Sequence, residues 1–415
     1  MNLNYLVGSA LAATLMAHAG VAANNVTAPA ATVQNGAAPG AKVQNVAAPA
    51  ATVQEDPSTH SPAAIEPEYV RPLMRIETGR NDSNPVWAPS GALLAIERSR
   101  GEKKEIVIVY PDGSVAETIY YQLSGETKEK KFFFPGVIDD TSYNAGVTWS
   151  PTGDRLVFMS NGGEGNYDLY LRERNGRTLR LTDHKEKDGQ AHWSPVAERL
   201  VFVSGRSGKG DLYLLDLATR AVTRLTQGGK PYLYPQWSPD GKKVAMIQGS
   251  NENHDIYVIG DVSRPVETLM ALTTWTYDDL RPVWSPDGKK IAFYSNYNPD
   301  NDLKRWCIIV IAADGSDSVQ GDALAARVVA TDVLPDVERG PAWMPDSARI
   351  VYVRNEGRDY NPLYIADSAR HTNLLLKTDT RINHDVASSR NGLIAFRAQV
   401  EQWDQIFIAK LKDKD

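Results

Sequence analysis

The feature that most constrains the fold is a five-residue motif, Trp-Ser-Pro-Asp-Gly, which recurs along the chain. Complete or variant copies begin at six tryptophans: Trp87, Trp149, Trp193, Trp237, Trp284 and Trp343. These tryptophans lie 62, 44, 44, 47 and 59 residues apart. A seventh copy without its tryptophan is expected 44 residues past Trp343, at Ala387 within His384–Ser389. Self-similarity at a period near 44 predicts a repeat architecture.

One repeat can be divided into four short strands. In the unit Pro235–Thr273 these are Pro235–Ser238, Lys242–Ile247, Asp255–Ile259 and Val266–Thr273, with Pro239–Gly241 as a turn between the first two. Proline presets φ, aspartate caps the local backbone and glycine supplies a positive φ. Four antiparallel strands repeated radially form a propeller blade. A large aromatic at a fixed place in each copy is expected to pack between neighbouring blades.

The repeats predict an all-β, seven-bladed propeller, with six blades as the alternative if Val386–Ala409 forms none. The last copy ends in a charged tail without a fourth strand. Leu73–Gly79 matches Val222–Gly228 in pattern, so an N-terminal strand near residues 72–78 is expected to complete the seventh blade. Closure of this kind pairs the two ends of the chain.

Three segments differ in composition. Residues 1–23 contain an apolar run typical of a signal peptide, with an uncleaved membrane anchor as the alternative. Residues 24–68 repeat alanine, proline, valine and glutamine in units of ten, which is typical of a disordered tether or linker. Residues 69–415 are expected to be the propeller. We therefore expect a periplasmic or secreted protein.

Charge and cysteine content exclude some functions. The formal net charge is −6, so the chain lacks the basic surplus that nucleic acid binding requires. The only cysteine, Cys307, lies in an apolar strand and is expected to be buried, not nucleophilic. No nucleophile elbow or phosphate-binding loop is present, since Ser207 lacks the second glycine of an elbow. We predict no catalytic residues.

The repeats resemble those of the TolB-type propeller family over about residues 71–411, because that family carries the same Trp-Ser-Pro-Asp-Gly turn before an apolar strand and an Ile-Tyr-Val strand. The resemblance implies a propeller fold and an exported binding role. A full TolB has an α/β domain before six blades, whereas here an Ala/Pro-rich tether occupies that place and a seventh copy is present. Membership of the Tol–Pal system does not follow.

Binding residues are expected at the channel mouth, just before each tryptophan, where the repeats differ. Five residues ahead lie Asp82, Asn144, Asp188, Tyr232, Asp279, Glu338 and Ile382; three residues ahead lie Asn84, Gly146, Gln190, Tyr234, Arg281, Gly340 and His384. Asp385 adjoins the second set. The acidic ring could hold a divalent cation or a basic peptide segment, with capping of loop backbone as the alternative. No dedicated metal site or other cofactor is predicted.

Two functions remain open. The first is a monomeric protein-binding or scaffold module of the cell envelope, whose partner is an envelope or extracellular protein. Phe132, Phe133 and Phe134, beside a basic cluster, suggest a loop that contacts a partner or a membrane surface, or that folds over the channel. The alternative is a lyase or hydrolase acting on an acidic polysaccharide, in which Arg281 neutralises a carboxylate and His384 or Tyr234 moves a proton.

Overall fold

The computed structural model describes most of the chain from residue 63 onward. The described ranges are 63–101, 103–119, 144–162, 166–249, 253–297, 305–316, 321–336, 338–357 and 359–412. The expected signal peptide, most of the expected linker and Phe132–Phe134 lie outside the described residues. Within those ranges no helix is long and apolar enough to cross a membrane.

The protein is a seven-bladed β-propeller, which confirms the first of the two predicted blade counts. Strands β1 (Ala64–Ile65) and β2 (Pro67–Pro72) precede the first blade. Blade 1 contains β3 (Asn81–Trp87), β4 (Leu94–Arg100), β5 (Lys103–Val109) and β6 (Val115–Ile119). Blade 2 contains β7 (Asn144–Trp149), β8 (Leu156–Ser160), β9 (Asp168–Arg172) and β10 (Thr178–Arg180). Blade 3 contains β11 (Asp188–Trp193), β12 (Arg199–Ser204), β13 (Asp211–Asp216) and β14 (Val222–Arg224).

The remaining blades repeat this pattern. Blade 4 contains β15 (Tyr232–Trp237), β16 (Val244–Gly249), β17 (His254–Ile259) and β18 (Leu269–Ala271). Blade 5 contains β19 (Asp279–Trp284), β20 (Lys290–Ser295), β21 (Trp306–Ala312) and β22 (Val328–Val333). Blade 6 contains β23 (Ala342–Trp343), β24 (Arg349–Val353), β25 (Leu363–Asp367) and β26 (Thr372–Leu376), and blade 7 contains β27 (Asn383–Ser388), β28 (Leu393–Val400) and β29 (Trp403–Leu411). Two 3₁₀ helices, Gly205–Ser207 and Gly321–Arg327, occur among the described residues.

The repeated Ser-Pro-Asp-Gly turn follows the inner strand and is held by the local hydrogen bonds that its residue types predicted. In blade 4 the Gly241 amide donates to the Ser238 carbonyl at 2.8 Å, and Gly241 has a φ of 68°. The Ser238 hydroxyl donates to Asp240 at 2.6 Å and accepts from the Lys243 amide at 2.9 Å. This hydroxyl bond is the main reason why the Asp240 pKa is lowered. The turn therefore stabilises the hairpin between inner and second strands.

The tryptophans pack between blades, as the repeat predicted. The indole of Trp149 donates to the carbonyl of Val86 at 3.0 Å, and that of Trp237 donates to the carbonyl of His192 at 3.2 Å. In each case the acceptor is the residue before the tryptophan of the preceding blade. Trp87, Trp284 and Trp343 make the same bond, whereas the buried indole N–H of Trp193 has no hydrogen-bond partner among the described residues. The tryptophans thus contact the previous inner strand through their apolar surface, and five of the six add one hydrogen bond.

The seventh copy lies one residue later than expected. Trp87 donates to the carbonyl of Ala387 at 3.3 Å, so Ala387 occupies the position before the tryptophan and Ser388 replaces the tryptophan. The turn bond from the Gly392 amide to the Ser389 carbonyl agrees with this register. The expectation that Ala387 marks the lost tryptophan was wrong, because the spacing between the last two copies is 45 and not 44.

An N-terminal strand closes the ring, but it lies upstream of the predicted segment. Strand β2 pairs antiparallel with β29, giving the order β2-β29-β28-β27. The Leu73 amide then donates to the Ile406 carbonyl, as the Leu225 amide donates to the Leu212 carbonyl in blade 3. Leu73 therefore corresponds to Leu225 and not to Val222, and the expected strand at residues 72–78 was placed too late.

The N-terminal part of the described chain also pairs with blade 6, upstream of the strand that completes blade 7. Strand β1 pairs parallel with β26, through Ala64 with Leu375 and Ile65 with Leu376. An ion pair between Glu66 and Lys377 lies beside this pairing. Strand β1 and the start of β2 therefore lie within residues 24–68, the segment expected to be linker, and residues 64–72 connect the outer strands of two adjacent blades.

Candidate functional site

The seven residues three positions before the tryptophan, or before Ser388, share one unusual backbone conformation. All have a positive φ between 47° and 90°: Asn84, Gly146, Gln190, Tyr234, Arg281, Gly340 and Asp385. We call this set the left-handed ring. Non-glycine residues rarely adopt this conformation because of steric conflict at Cβ. Its recurrence in every blade shows that the architecture requires it.

The left-handed residue produces a bulge in the inner strand. In blade 3 the pairing of β11 with β12 shifts between Gly189 and His192, and in blade 4 the shift lies between Leu233 and Gln236. A bulge re-aims the side chain at its centre. Most members of the left-handed ring line the central channel, including Gln190, Tyr234 and Arg281.

Some members of this ring bind the next blade. Gln190 Oε1 accepts a hydrogen bond from the backbone N–H of Tyr234 at 2.8 Å. Asp385 Oδ2 accepts one from the backbone N–H of Asn84 at 3.3 Å, across the seam between blades 7 and 1. Each bond satisfies an amide that the bulge has removed from the strand ladder. Some residues of the left-handed ring therefore also have a structural role, because they link neighbouring blades.

The expected acidic ring, five residues before the tryptophan, is largely enclosed within the blades. Asp82 is 0% exposed and accepts bonds from Arg98 at 2.8 and 3.2 Å. Asp188 is also 0% exposed and pairs with Arg206 at 2.9 Å. Asp279 is fully buried, and burial raises its pKa well above the usual range. These three aspartates line neither channel cavity, and Asp82 and Asp188 pair with arginine side chains within the blades.

The channel consists of two adjoining cavities. The turn-side chamber, about 580 Å³, lies beside the prolines of the turns, including Pro89, Pro151 and Pro195. The loop-side chamber, about 390 Å³, lies beside Ser83 of β3 and beside Leu334, Pro335 and Asp336, which precede β23. Five residues line both and form a waist: Asn84, Glu97, Gly146, Met159 and Glu338.

Glu97 organises the waist. Its side chain accepts hydrogen bonds from Asn84 Nδ2 at 3.0 Å and from the Gly146 amide at 2.9 Å, and it pairs with Lys104 at 2.5 Å. Glu97 as a whole is only 3% exposed. A buried carboxylate with three partners is a fixed structural charge. Sequence reasoning missed Glu97 because it lies on the second strand of blade 1, outside both expected rings.

The turn-side chamber contains a group of hydrogen-bond donors. The Arg281 guanidinium carbon lies 3.1 Å from the centroid of the Tyr234 ring, and the Arg281 side chain is 7% exposed. Among the described residues, Arg281 Nη2 and Gln190 Nε2 are buried and have no hydrogen-bond partner. His192 lines the same chamber, and burial lowers its pKa to about 4. His192 is therefore neutral at pH 7.

The loop-side chamber combines acids and bases. Arg397 pairs with Asp385 at 2.7 Å and with Asp404 at 2.9 Å. Burial and the nearby Asp385 raise the pKa of Asp336 to about 7. Burial, reinforced by Arg397, lowers the pKa of His384. Asp336 and Arg397 were absent from the predicted site, since neither lies at a fixed offset from a repeat tryptophan.

The predicted binding residues thus divide into four groups. Gln190, Tyr234 and Arg281 meet in the turn-side chamber, and His384 and Asp385 line the loop-side chamber. Asn84 and Glu338 lie at the waist, where Glu338 approaches Arg281 to 3.9 Å. The three aspartates described above support the blades instead. Among the described residues, no group of three or more His, Cys, Asp or Glu side chains is arranged to hold a metal ion.

Comparison with known proteins agrees with this fold. The model of the TolB β-propeller domain family matches residues 137–321. No curated protein matches the chain. An oligogalacturonate lyase in complex with manganese is similar in structure, with a TM-score of 0.60 and 14% identity over 83% of this chain and 93% of that chain. A second oligogalacturonate lyase, from Vibrio parahaemolyticus, has a TM-score of 0.60 and 12% identity over 83% of this chain and 94% of its own.

TolB from Acinetobacter baumannii is also similar, with a TM-score of 0.48 and 18% identity over 75% of this chain. The chain spans 66% of the length of that protein. At 14% and 12% identity, the two lyase structures support the fold of this chain alone.

Proposed function

Because this chain carries the repeats of the TolB-type β-propeller family, we propose that it is an exported binding module whose central channel receives a segment of a partner protein. The scaffold supports the channel, since tryptophans pack between neighbouring inner strands and two side chains of the left-handed ring, Gln190 and Asp385, bond to the next strand. Rigid scaffolds that present variable residues at one place are typical of binding proteins.

One observation carries this proposal: the left-handed ring places residues that differ from blade to blade at the channel cavities. The seven positions hold asparagine, glycine, glutamine, tyrosine, arginine, glycine and aspartate, although the tryptophan three residues later is nearly invariant. A purely structural role would favour glycine or asparagine at a positive φ. Tyr234 and Arg281 adopt this conformation at a cost in backbone energy, which supports a role for their side chains in binding.

The proposed location is the cell envelope or the exterior. The apolar segment 1–23 has the composition of a signal peptide, and the alanine- and proline-rich repeats of residues 24–62 have that of an extended spacer. Such a spacer separates a propeller from the point where its N-terminal segment is held. The partner is proposed to be an envelope or extracellular protein bound by a monomeric propeller, and a membrane-surface contact through Phe132–Phe134 belongs to the same proposal.

Affinity capture tests the channel assignment. The full chain, Arg281→Glu and His384→Ala are used to capture partners from an envelope extract, and melting temperatures confirm that each variant is folded. Arg370→Glu is the matched control, because Arg370 is 76% exposed on an outer turn and pairs only locally with Asp367. We expect partner recovery to fall at least fivefold for both channel variants and to be unchanged for the control. Equal recovery by all four proteins would show that the partner binds elsewhere.

An enzyme acting on an acidic polysaccharide is the alternative function. The two oligogalacturonate lyases share the fold at 14% and 12% identity. One of them was determined with manganese, whereas the described residues here contain no set of three ligands for such an ion. Incubation of the protein with oligogalacturonate, with and without a divalent-metal chelator, distinguishes the two functions, because release of unsaturated product would replace the binding proposal.

A further inference from the structure

Building on the proposed function, we propose that Gln190, Tyr234 and Arg281 form a pocket for one carboxylate group, supplied by an aspartate or glutamate of the partner segment. We call these three residues the donor trio. They come from consecutive blades and occupy the same position of the repeat. The proposal names the chemistry of the partner, which the fold alone leaves open.

The donor trio is a connected unit. Gln190 Oε1 is occupied by the backbone N–H of Tyr234 at 2.8 Å, and this bond turns the amide nitrogen of Gln190 away from the Tyr234 backbone. The guanidinium of Arg281 stacks on the Tyr234 ring at 3.1 Å. Both flanking side chains are therefore held on Tyr234, and their orientations are fixed before any ligand arrives. Such preorganisation lowers the entropy that binding must overcome.

The unpaired atoms of this unit are hydrogen-bond donors. Gln190 Nε2 and Arg281 Nη2 are buried without a hydrogen-bond partner among the described residues, and both side chains line the turn-side chamber. Only 7% of the Arg281 side chain is exposed to solvent. A buried donor without an acceptor is unfavourable, and a buried guanidinium most of all. An acceptor that carries negative charge satisfies both atoms.

The charges around the pocket favour an anion over a cation. Arg339 and Arg390 line the same chamber as Arg281. The acidic side chains that line this chamber are Glu97 and Glu338. Glu97 already forms an ion pair with Lys104 and accepts hydrogen bonds from Asn84 and the Gly146 amide. Glu338 Oε2 lies 3.9 Å from Arg281 Nη2, so the two form a long ion pair but no hydrogen bond. The chamber thus presents three arginines against Glu338 and the already paired Glu97, and this balance of charge favours a carboxylate over a positively charged segment.

Size and shape favour a side chain from a peptide. The chamber of about 580 Å³ adjoins the turns that carry Pro89, Pro151 and Pro195. A short extended segment can enter there and place one acidic side chain on Arg281. Arginine binds carboxylates through two parallel hydrogen bonds, which gives both affinity and orientation. The geometry therefore points to an acidic peptide.

Direct binding of a minimal probe tests the pocket without requiring the partner. Ligand-observed NMR titration of the full chain with N-acetyl-glutamate α-amide measures a Kd, and N-acetyl-glutamine α-amide, which lacks the charge, is the matched control ligand. We expect the carboxylate to bind at least tenfold more tightly than the amide. Equal affinity for the two ligands would overturn the proposal.

Variants then locate the binding. Arg281→Gln removes the charge, and Gln190→Glu retains the acceptor for the Tyr234 amide while replacing the free donor with an oxygen. We expect at least a tenfold rise in Kd for each, and no change for Arg370→Gln on the outer turn. If Arg281→Gln unfolds, Gln190→Glu and the conservative Arg281→Lys, which retains charge but loses the paired donors, carry the test. Unchanged affinity in a folded variant would contradict the proposal.

The source of the carboxylate is distinguished by a third ligand. If galacturonate binds at least tenfold more tightly than the glutamate probe and depends on Arg281, the occupant is a sugar acid and the peptide assignment is wrong. If the glutamate probe does not bind but partner capture still depends on Arg281, the carboxylate pocket fails and the proposed function stands. If the probe binds and no partner is captured, the proposed function fails alone.

Discussion

The backbone N–H of Asn84 donates to Oδ2 of Asp385 at 3.3 Å, although the two residues are separated by 301 positions in the chain. This bond crosses the seam at which the ring closes. It has the same form as the bond from Tyr234 to Gln190, which joins blades 3 and 4. The seam is therefore held by the same contacts as an ordinary blade boundary, with β2 as an additional connection.

Closure of the ring by the N-terminal strand predicts a stability effect at Leu73. Leu73 is 2% exposed and packs among buried residues of blades 1 and 7, including Leu94 and Ile408. We expect Leu73→Ala to lower the free energy of unfolding by about 2–5 kcal/mol, because the substitution leaves a cavity. Urea denaturation measures this change. Val222→Ala, at an exposed position on the outer strand of blade 3, is the control and is expected to change it by less than about 0.5 kcal/mol.

The raised pKa of Asp336 predicts a pH dependence. The folded protein retains the proton to about pH 7, whereas the unfolded chain releases it near pH 4, so the folded state binds more protons between these values. Its free energy of unfolding should therefore fall as the pH rises from about 4 to about 7. The groups facing Asp336 are Asp385, Arg339, Arg281 and the Tyr294 hydroxyl.

Asp336→Asn tests this dependence, because the amide oxygen can still accept the bonds from the Glu338 and Arg339 amides. We expect the variant to be more stable than the wild type by about 2–4 kcal/mol at pH 8 and similar to it at pH 4. Denaturation at the two pH values provides the measurement. A difference that is the same at both would rule out titration of Asp336 as the cause.

Two glycines of the left-handed ring predict unequal effects of the same substitution. A Cβ at Gly146 would meet only Met159 at 3.6 Å, whereas a Cβ at Gly340 would lie 2.6 Å from the Arg281 carbonyl oxygen and 2.7 Å from Val283. Gly146→Ala is expected to cost about 1–2 kcal/mol from its φ of 66°. Gly340→Ala should cost at least about 1 kcal/mol more, because the Arg281 backbone must move. Chemical denaturation measures the free energy of unfolding of both variants. An equal loss of stability in the two would contradict the closer contacts at Gly340.

The sequence was sufficient to predict the blades but not their register at the seam. The Trp-Ser-Pro-Asp-Gly turn combines several local preferences, so each copy predicts an inner strand independently. In the seventh copy Ser388 replaces the tryptophan, so only the distance from Trp343 could locate the inner strand. Because that distance is one residue longer than the expected spacing, the prediction fell on Ala387. The closing strand was misplaced for a related reason: Leu73 precedes Trp87 by 14 residues, whereas Leu225 precedes Trp237 by 12.

The site was only partly predictable because offsets along the chain do not reveal burial. Asp188 and Gln190 are two residues apart on β11, yet Asp188 is enclosed with Arg206 and Gln190 lines the channel. The bulge between them separates their environments, and no residue preference marks it, since the left-handed position holds tyrosine and arginine as well as glycine. Glu97 and Asp336 became visible only when neighbouring strands and loops met around the channel.

Site-specific photo-crosslinking tests the central claim, that the channel is the binding surface, most directly. A benzophenone amino acid replaces Tyr234 in the channel, and in a matched protein it replaces Tyr110, which is 47% exposed outside the channel. Both proteins are irradiated in an envelope extract and their adducts are compared by mass. We expect a discrete protein adduct from position 234 and none from position 110. An adduct from position 110 with none from position 234 would contradict it.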